Sequence, residues 1–471
     1  MTAPSTDAPA PRLSDRVAAW RRAVSPEERA LALRAFLLFF LLLGGYYALR
    51  PVRDAVGSEG GPRAMAENFT GTFLVATLLT PLYGALVVRT QRPRFLAVAY
   101  RFFAVVLLLW AAAFAWRTAA PDAFAAAMRG APLATLGGER LFNGGWFVWV
   151  SVYNVFLTTI FWSAAAEWFS PRHGKRWFGF IAAGGTCGGI AGPWLTRWFA
   201  QHASTKAYAA TWSLIVAAVA LELAVQVARR MPRLAAAARP AEPARAFEAP
   251  PQGSAIDGAA TVARSRFLRL IAAYLAIATL TGTFLYNARS ELARDAYPDR
   301  AARTAAFAGF ESWSSALTLL FQAGLTPLLL RRLGPGLSLA ALPAVQMIGC
   351  FTLATTPAFA VVAWFDVFSR ATRHGLATPA RETLFTGVSR EEKYKAKQFI
   401  DVVVYRFGDV VAAWLYFVAA HVLLAGRPIR DLVASLAGAL LVVPPVWAFV
   451  ARRLVRAAPP VSVAPGAATP G

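Results

Sequence analysis

The chain has 471 residues, of which 57% are hydrophobic and only 15% are charged. This balance is too apolar for an ordinary soluble enzyme and predicts an integral membrane protein in a lipid bilayer. The formal net charge of +23 would suggest nucleic acid in a soluble chain, but the arginines lie mainly between apolar segments, as in cytoplasmic loops. We therefore expect no nucleic-acid partner. Cys187 and Cys350 lie in apolar segments without a CxxC or His-rich neighbour and predict neither a metal nor a cofactor.

The first 30 residues are rich in Pro, Ala and Ser and carry several arginines. They contain no short apolar core that ends in a small-residue cleavage site. The sequence therefore predicts a cytoplasmic N-terminal tail over residues 1–30 and not a signal peptide.

Twelve apolar runs follow, each long enough to cross a hydrocarbon core of ~30 Å as a helix of about 20 residues. They cover approximately 33–56, 66–88, 95–117, 141–168, 176–200, 208–229, 266–289, 305–330, 336–355, 358–384, 400–424 and 431–452. Between the sixth and seventh runs, the Ala-, Pro- and Arg-rich segment 231–264 lacks a sustained apolar face and predicts a cytoplasmic linker. The linker separates an N-terminal six-helix half, 31–230, from a C-terminal six-helix half, 265–456, which a tail, 457–471, follows.

Basic residues set the expected orientation. Clusters of Arg and Lys follow the even-numbered runs, and such clusters mark the cytoplasmic side of a membrane. Both termini are therefore predicted to be cytoplasmic.

The two halves resemble each other at short motifs. WVSVYN (149–154) matches WFDVFS (364–369), and at the same offset of 215 residues Glu167 corresponds to Glu382. YALR (47–50) similarly matches YNAR at an offset of 239 residues. Together these matches predict parallel repeats related by an axis along the membrane normal, as in the all-α major facilitator-type fold. A substrate would then bind near the midplane, between the first, fourth, seventh and tenth helices.

The first apolar run contains a charged end. Ala35–Leu49 would span only about 22 Å at 1.5 Å per residue, so the helix is expected to continue through Arg50, Arg53 and Asp54, which share one face. Each ionised side chain at a helix centre costs on the order of 2.5–3.5 kcal/mol, so this face should line a cavity between the halves. Pro51 is expected to bend or weaken the helix.

The tenth run repeats this pattern with Asp366, Arg370, Arg373 and His374 at helical spacing. Arg370 can pair with Asp366 one turn away, whereas Arg373 has no carboxylate within reach on its own turn. With Arg289 added, arginines exceed carboxylates, which predicts an anion site, because guanidinium groups fit phosphate or carboxylate. An alternative stays open: these charges form interhelical salt bridges that fix the packing and touch no substrate.

Tyrosines and glycines add weaker indications. Tyr46, Tyr47, Tyr153 and Tyr286 could stack on a flat ring such as a nucleobase, although aromatic side chains in apolar helices more often pack or contact lipid. The glycines of GGTCGGIAGP (184–193) form small-xxx-small pairs that predict close helix packing.

Several motifs resemble one family. KYKAKQFIDVVVYRFG (393–408), with TPARETLF (378–385) before it, resembles the tenth-to-eleventh-span signature of the ATP:ADP antiporter family, the nucleotide translocases of plastids and intracellular bacteria. LRPVRD (49–54) is similar to the basic first-span motif of that family, and GKRWFG (174–179) to the start of its fifth span. Arg53 occupies a place that lysine usually holds, and Asp409 stands where the family more often has lysine.

The resemblance implies a multi-pass secondary transporter of a bacterial inner membrane, which exchanges a small phosphorylated anion such as ATP or ADP. It implies a monomer, no cofactor and no enzymatic activity, and the chain has no GxxxxGK[S/T] motif for ATP hydrolysis. The expected substrate-binding residues are Arg50, Arg53, Asp54, Arg289, Arg370, Arg373, Lys397 and Arg406.

A second group is expected to serve gating or coupling: Asp366, His374, Glu167, Glu382, Lys175 and Asp401. Lys175 and Lys397 belong to only five lysines among 48 basic residues, which slightly favours a specific role over anchoring. The alternative function is a proton-coupled major facilitator carrier or efflux pump for another organic anion, with Asp366, Glu167, Glu382 or His374 as the proton carrier.

Overall fold

The computed structural model describes residues 24–89, 92–130, 137–238, 255–385, 388, 392, 396–397 and 399–459. It describes only the backbone at 80–89, 92–94, 171–173, 175, 255–257, 331, 333 and 402. Within these ranges the secondary structure is helical throughout, without strands.

Twelve long helices, α1–α12, make up most of the described chain. The first half contains α1 (Pro26–Gly57), α2 (Gly61–Arg89), α3 (Arg92–Ala119), α4 (Gly138–Trp168), α5 (Pro171–Gln201) and α6 (Ala209–Arg229). The second half contains α7 (Arg266–Ala296), α8 (Arg300–Leu330), α9 (Gly334–Thr355), α10 (359–384), α11 (Phe399–Leu423) and α12 (Ile429–Ala457). All twelve correspond to the runs predicted from hydropathy.

Nine stretches of the described chain are long and apolar enough to cross a membrane by length and composition. One of them, Pro26–Leu79, contains α1 and much of α2. The remaining two long helices are α5, which is rich in glycine, and α10, which carries several charges. The chain is therefore a multi-pass membrane protein.

The first helix shows how local sequence sets its limits. Ser25 caps its N-terminus by accepting a hydrogen bond from the Glu28 backbone N–H at 3.1 Å, and Pro26 occupies the first turn. The helix then runs without interruption through Arg50 and Pro51 to Gly57. The expected continuation of the first span past its apolar run is confirmed.

The glycine face of α5 lets this helix pack against α1 with its backbone. A Cβ on Gly188 would lie 2.5 Å from the Phe40 carbonyl oxygen, and one on Gly192 would overlap the Gly44 carbonyl. The close packing predicted for these small-xxx-small pairs is confirmed, and it fixes α1 beside α5 within the first half.

We expect Gly192→Ala to destabilise the protein by about 1–3 kcal/mol, because the new methyl group meets backbone and not a movable side chain. The matched control is Gly179→Ala on the same helix, where a Cβ would meet nothing within 4 Å. Thermal unfolding of the purified variants in detergent measures the difference. Equal stability of the two variants would contradict this packing.

The predicted linker, 231–264, is partly helical. Met231–Ala237 and Ala255–Arg264 form short helices at its two ends, because alanine favours helix even without an apolar face. Residues 239–254 of the linker, 1–23 of the N-terminal tail and 460–471 of the C-terminal tail lie outside the described residues.

The helices alternate in direction, so the bundle has two distinct ends. We call the end that carries the turn between α1 and α2 the Glu59 end, after the residue in that turn. The opposite end, where α1 begins and α12 ends, is the terminal end.

Ion pairs join the two halves at the Glu59 end. The Glu59 carboxylate accepts a hydrogen bond from Arg300 Nη2 at 3.1 Å and another from Arg303 Nη2 at 3.4 Å. Nearby, Lys206 Nζ lies 2.8 Å from Asp299 Oδ2. Further bonds between the halves lie between this end and the middle of the bundle. The halves are therefore closed against each other at the Glu59 end.

The Lys206–Asp299 pair predicts a small pH dependence of stability. Lys206 donates to Asp299 and lowers the pKa of that carboxyl, so the stabilisation is complete above the ordinary aspartate pKa of about 3.9. It is lost as the pH falls through the lowered value. Because both side chains are about half exposed, at 52% and 50%, we expect at most about 1 kcal/mol.

Thermal unfolding of wild type and Asp299→Asn between pH 3 and 8 tests this. The variant should be slightly less stable at neutral pH, and the two curves should converge in acid. A difference that grows in acid would contradict the assignment.

Candidate functional site

A cavity of about 290 Å³ lies between the two halves. Its wall is built by α1, α2 and α4 of the first half and by α7, α10 and α11 of the second half. The repeat argument predicted the first, fourth, seventh and tenth helices at a central site, and the structure adds α2 and α11.

Six guanidinium groups line this cavity, and all of them belong to residues selected from the sequence. They are Arg50, Arg53, Arg289, Arg370, Arg373 and Arg406. In a membrane-spanning bundle, such charges are tolerated only where they face partners or water, so their convergence marks the cavity as the polar centre of the protein.

Asp54 is the acceptor at the centre of this cluster. It is 1% exposed and accepts hydrogen bonds from Arg53 Nη2 at 2.7 Å, Arg289 Nη2 at 2.7 Å and the Tyr286 hydroxyl at 2.8 Å. Tyr286 and Arg289 belong to α7, so these bonds tie the two halves together. With its oxygens occupied, Asp54 is placed to orient arginines and not to touch an anion directly.

Arg289 links three helices through its two terminal nitrogens. Nη2 donates to Asp54 on α1, while Nη1 donates to Asp366 Oδ2 on α10 at 2.8 Å. The arginine is only 1% exposed. An ion pair that is broken at this depth leaves a buried charge uncompensated, so Arg289 stabilises the packing of all three helices.

Glu311 on α8 is the acceptor that sequence reasoning missed. It is buried and accepts from Arg50 Nη1 at 2.8 Å and from Arg370 Nη1 at 2.6 Å. The predicted Arg370–Asp366 pair is present at 3.2 Å, but Arg370 bonds more closely to Glu311. A carboxylate within an apolar run is costly to desolvate, and the sequence analysis used this cost to place Asp54 in a cavity. Glu311 also lies within an apolar run, so the same argument could have identified it.

Arg373 and Arg406 differ from the other four arginines. Arg373 Nη2 donates to the Ala278 carbonyl at 2.7 Å, but neither arginine forms an ion pair with any residue that the structure describes. Arg373 belongs to a π-helical turn of α10, Arg373–Ala377, a distortion that is frequent at functional sites.

The cluster carries an excess of positive charge. Four carboxylates stand against the six guanidinium groups, which leaves two positive charges uncompensated. The four are Asp54, Glu311, Asp366 and Asp409.

Several buried polar atoms at the cavity lack hydrogen-bond partners among the described residues. Asn154 Oδ1, Thr279 Oγ1 and the Nε atoms of Arg50 and Arg373 are examples. Buried polar atoms are nearly always paired in folded proteins, so these atoms are available to a ligand or to water.

The predicted aromatic residues divide into two groups. Tyr46, Tyr47 and Tyr286 line the cavity, whereas Tyr153 stacks on Trp149 at a ring distance of 5.1 Å and packs in the core of the first half. Three tyrosines therefore remain available to a flat ring.

Three of the predicted residues, Lys397, Glu382 and Asp401, form a separate polar cluster with Arg381 toward the terminal end. Lys397 Nζ donates to Glu382 Oε2 at 2.8 Å, while Arg381 donates to Glu382 at 3.3 Å and to Asp401 at 3.1 Å. Lys397 was expected to bind substrate, but it does not line the central cavity, because the Glu382 carboxylate holds it there. The side chain of Lys175 lies outside the described residues.

The other two candidates for coupling lie apart from each other. His374 lines the central cavity, and its backbone carbonyl accepts from Gln322 Nε2 at 3.3 Å. Glu167 lies in a different groove, between α3, α4 and α6, where Trp168 and Arg229 also contribute to the wall.

We expect Arg289→Met to destabilise the folded protein by about 3–5 kcal/mol, because it leaves two buried carboxylates short of a partner. The control is Arg63→Met, which breaks the exposed pair with Glu67 and should cost only about 0.3–0.5 kcal/mol. Thermal unfolding in detergent compares the two variants. Similar small losses for both would show that the Arg289 bonds do not hold the bundle together.

Part of the chain matches a known family. Residues 339–457 match the family model described as TLC ATP/ADP transporter. The matched region begins within α9 and extends through α12, so it includes Asp366, Arg370, Arg373 and Arg406 of the cavity. No curated protein matches the chain by sequence.

Solved transporter structures share the fold. The nucleoside transporter NupG superposes with a TM-score of 0.58 at 13% identity, over 92% of this chain and 100% of its own. A bacterial homologue of the iron transporter ferroportin, in an inward-facing state, gives 0.61 at 14% identity, over 90% and 98%. The POT family transporter PepTSo gives 0.56 at 11% identity, over 91% and 98%.

These likenesses confirm two predictions. The fold is the major facilitator type, and the resemblance to ATP:ADP antiporters is shared by the family model over the last quarter of the chain. Both findings support a membrane transporter.

Proposed function

We propose that this chain, a major facilitator-type membrane protein whose residues 339–457 match the ATP/ADP transporter family, exchanges phosphorylated nucleotides across the membrane by alternating access. The observation that carries the proposal is the presence of Arg373 and Arg406 in the central cavity without a carboxylate partner among the described residues. Both lie within the matched region.

The chemistry of the cavity suits a phosphorylated anion. Guanidinium forks match the geometry of phosphate oxygens, and a bound anion offsets the repulsion between neighbouring arginines. The tyrosine rings of Tyr46, Tyr47 and Tyr286 offer apolar surfaces beside these charges, as a nucleobase requires. A nucleotide combines both features in one molecule.

Alternating access would use the bonds between the halves. Arg289–Asp54 and Arg50–Glu311 each join a residue of the first half to one of the second half. A phosphate that binds these guanidinium groups weakens their bonds to the carboxylates. One half can then rock against the other. The ligand drives this change only as far as it binds the two conformations differently.

Orientation and assembly follow from the same proposal. We place the arginine-rich terminal end in the cytoplasm of a bacterium, so the chain is an inner-membrane protein. Because the halves are closed against each other at the opposite end, the Glu59 end, this conformation is inward-facing. The moving bodies would be the halves 31–230 and 265–456, joined by the linker 231–264 within one monomer.

The alternative function is a proton-coupled carrier of another organic anion. Most of the residues expected to carry the proton do not favour it. Asp366 is held by Arg289 and Arg370, Glu382 is held by Lys397, and Glu167 lies outside the central cavity. His374 alone of those candidates faces the cavity without a charged partner among the described residues.

Uptake of labelled ATP into proteoliposomes tests the proposal. We expect uptake when the vesicles contain unlabelled ATP, ADP or phosphate, and none in vesicles without protein. Arg373→Ala and Arg406→Ala should each weaken nucleotide binding by about 1.5–3 kcal/mol, the usual contribution of a hydrogen bond to a charged group. Neither should lower the stability of the unliganded protein much, because neither breaks an ion pair.

The control is Arg63→Ala, whose exposed guanidinium lies on α2 outside the cavity. It should transport like the wild type. If the wild type takes up no more ATP than empty vesicles with every internal anion, the exchange proposal fails.

A further inference from the structure

We infer that Asp409, Thr283 and Thr279 form a site for a small cation, H⁺ or Na⁺, that binds together with the anion and couples its transport to a cation gradient. This inference rests on the proposed function and specifies how the same cavity would be energised.

Asp409 is the unusual carboxylate of the cavity. It lies on α11, is 9% exposed and accepts a hydrogen bond from Thr283 Oγ1 on α7 at 2.7 Å. Asp54, Glu311 and Asp366 each bond to two guanidinium groups, but Asp409 makes no ion pair with any described residue. An ionisable group at this depth without a fixed countercharge marks a functional site by default.

Thr279 supplies a second, independent observation. It lies one helical turn before Thr283, so the two hydroxyls share a face of α7. Thr279 is 1% exposed and lines the cavity, yet its Oγ1 has no hydrogen-bond partner in the described part of the chain. A buried hydroxyl in this state is rare and calls for a ligand or a water molecule.

Thr279 lies close to the backbone of α11 at the residue that precedes Asp409. A Cβ on Gly408 would lie 3.1 Å from Thr279 Cγ2, so α11 approaches α7 closely beside Asp409. A carboxylate with two neighbouring hydroxyls offers oxygen ligands, which hard cations prefer. The same carboxylate can instead take up a proton.

The surrounding charges explain why cation and anion would bind together. Arg406, one turn earlier on α11, and Arg373 on α10 act electrostatically on Asp409, and His374 also faces the cavity from α10. From α7 the neighbours are the neutral threonines, and α2 faces this part of α11 with Phe73, whose ring lies 6.1 Å from that of Phe407.

An anion held by Arg373 and Arg406 is repelled by ionised Asp409. A cation on Asp409 removes this repulsion, and by reciprocity the bound anion raises the affinity for the cation by the same factor. Each ligand therefore favours the binding of the other.

Calorimetric titration of the full-length protein tests the inference, with ATP, ADP and inorganic phosphate as probes. One series varies pH from 6 to 8 at constant Na⁺, and a second replaces Na⁺ by choline at constant pH. If the cation is H⁺, wild-type affinity should rise by up to about tenfold for each unit of falling pH. If it is Na⁺, affinity should rise with Na⁺ at fixed pH.

Asp409→Asn should bind the anion independently of the coupling cation, with at least the affinity of the cation-loaded wild type. Asp409→Glu should restore the dependence, and Asp295→Asn, whose carboxylate pairs with Arg430 outside the cavity, should retain it. Titration of the probe's own phosphate groups affects all proteins equally, so the difference between proteins reports Asp409.

The outcomes separate the two proposals. Anion binding with the same dependence on pH and Na⁺ in wild type and Asp409→Asn overturns the cation site and leaves anion transport standing. Absence of binding by all three probes in the wild type under every condition overturns the proposed function, and the cation site with it.

Discussion

A charge inside a membrane-spanning bundle is costly unless it meets an opposite charge, and this constraint organises the centre of the protein. Asp54, Glu311 and Asp366 each bond to two guanidinium groups, and these groups belong to Arg50, Arg53, Arg289 and Arg370. Because breaking such a buried pair is far more costly than forming it is favourable, the pairs fix α1, α7, α8 and α10 at one relative height.

The same network bears on the two interpretations that the sequence allowed. Arg289 and Arg50 form salt bridges that fix helix packing, as the structural interpretation requires. Arg373 and Arg406 have no carboxylate partner in the described chain and remain available for an anion. Under the proposed function, Arg373 and Arg406 bind the anion, and the structural and binding roles meet at Arg50 and Arg289. The salt bridges of these two arginines cross between the halves and are also the bonds that must exchange when the halves move.

Local physical chemistry predicted most of the fold and, within the charge network, the arginines but not all of their partners. Hydropathy located all twelve helices, and the cost of burying charge placed Arg50 and Asp54 in a cavity and not at a membrane surface. The partners were harder to predict. Arg50 and Glu311 are 261 residues apart in the chain, and their meeting depends on how the two halves pack, which no local pattern specifies. The contact of Lys397 with Glu382 was hard to predict for the same reason, because it arises only once α10 and α11 are in place.

The charge balance of the cavity depends on the side chain at position 409. Two uncompensated positive charges face the cavity when Asp409 is ionised, and three when it is neutralised. A phosphorylated anion with more than two negative charges therefore meets a better matched site when a cation accompanies it. In the antiporters that this chain resembles, lysine is more frequent at this position and its positive charge is fixed. A carboxylate held by a threonine makes the charge of the site variable instead, and a variable charge is what allows an ion gradient to act on the affinity for the anion.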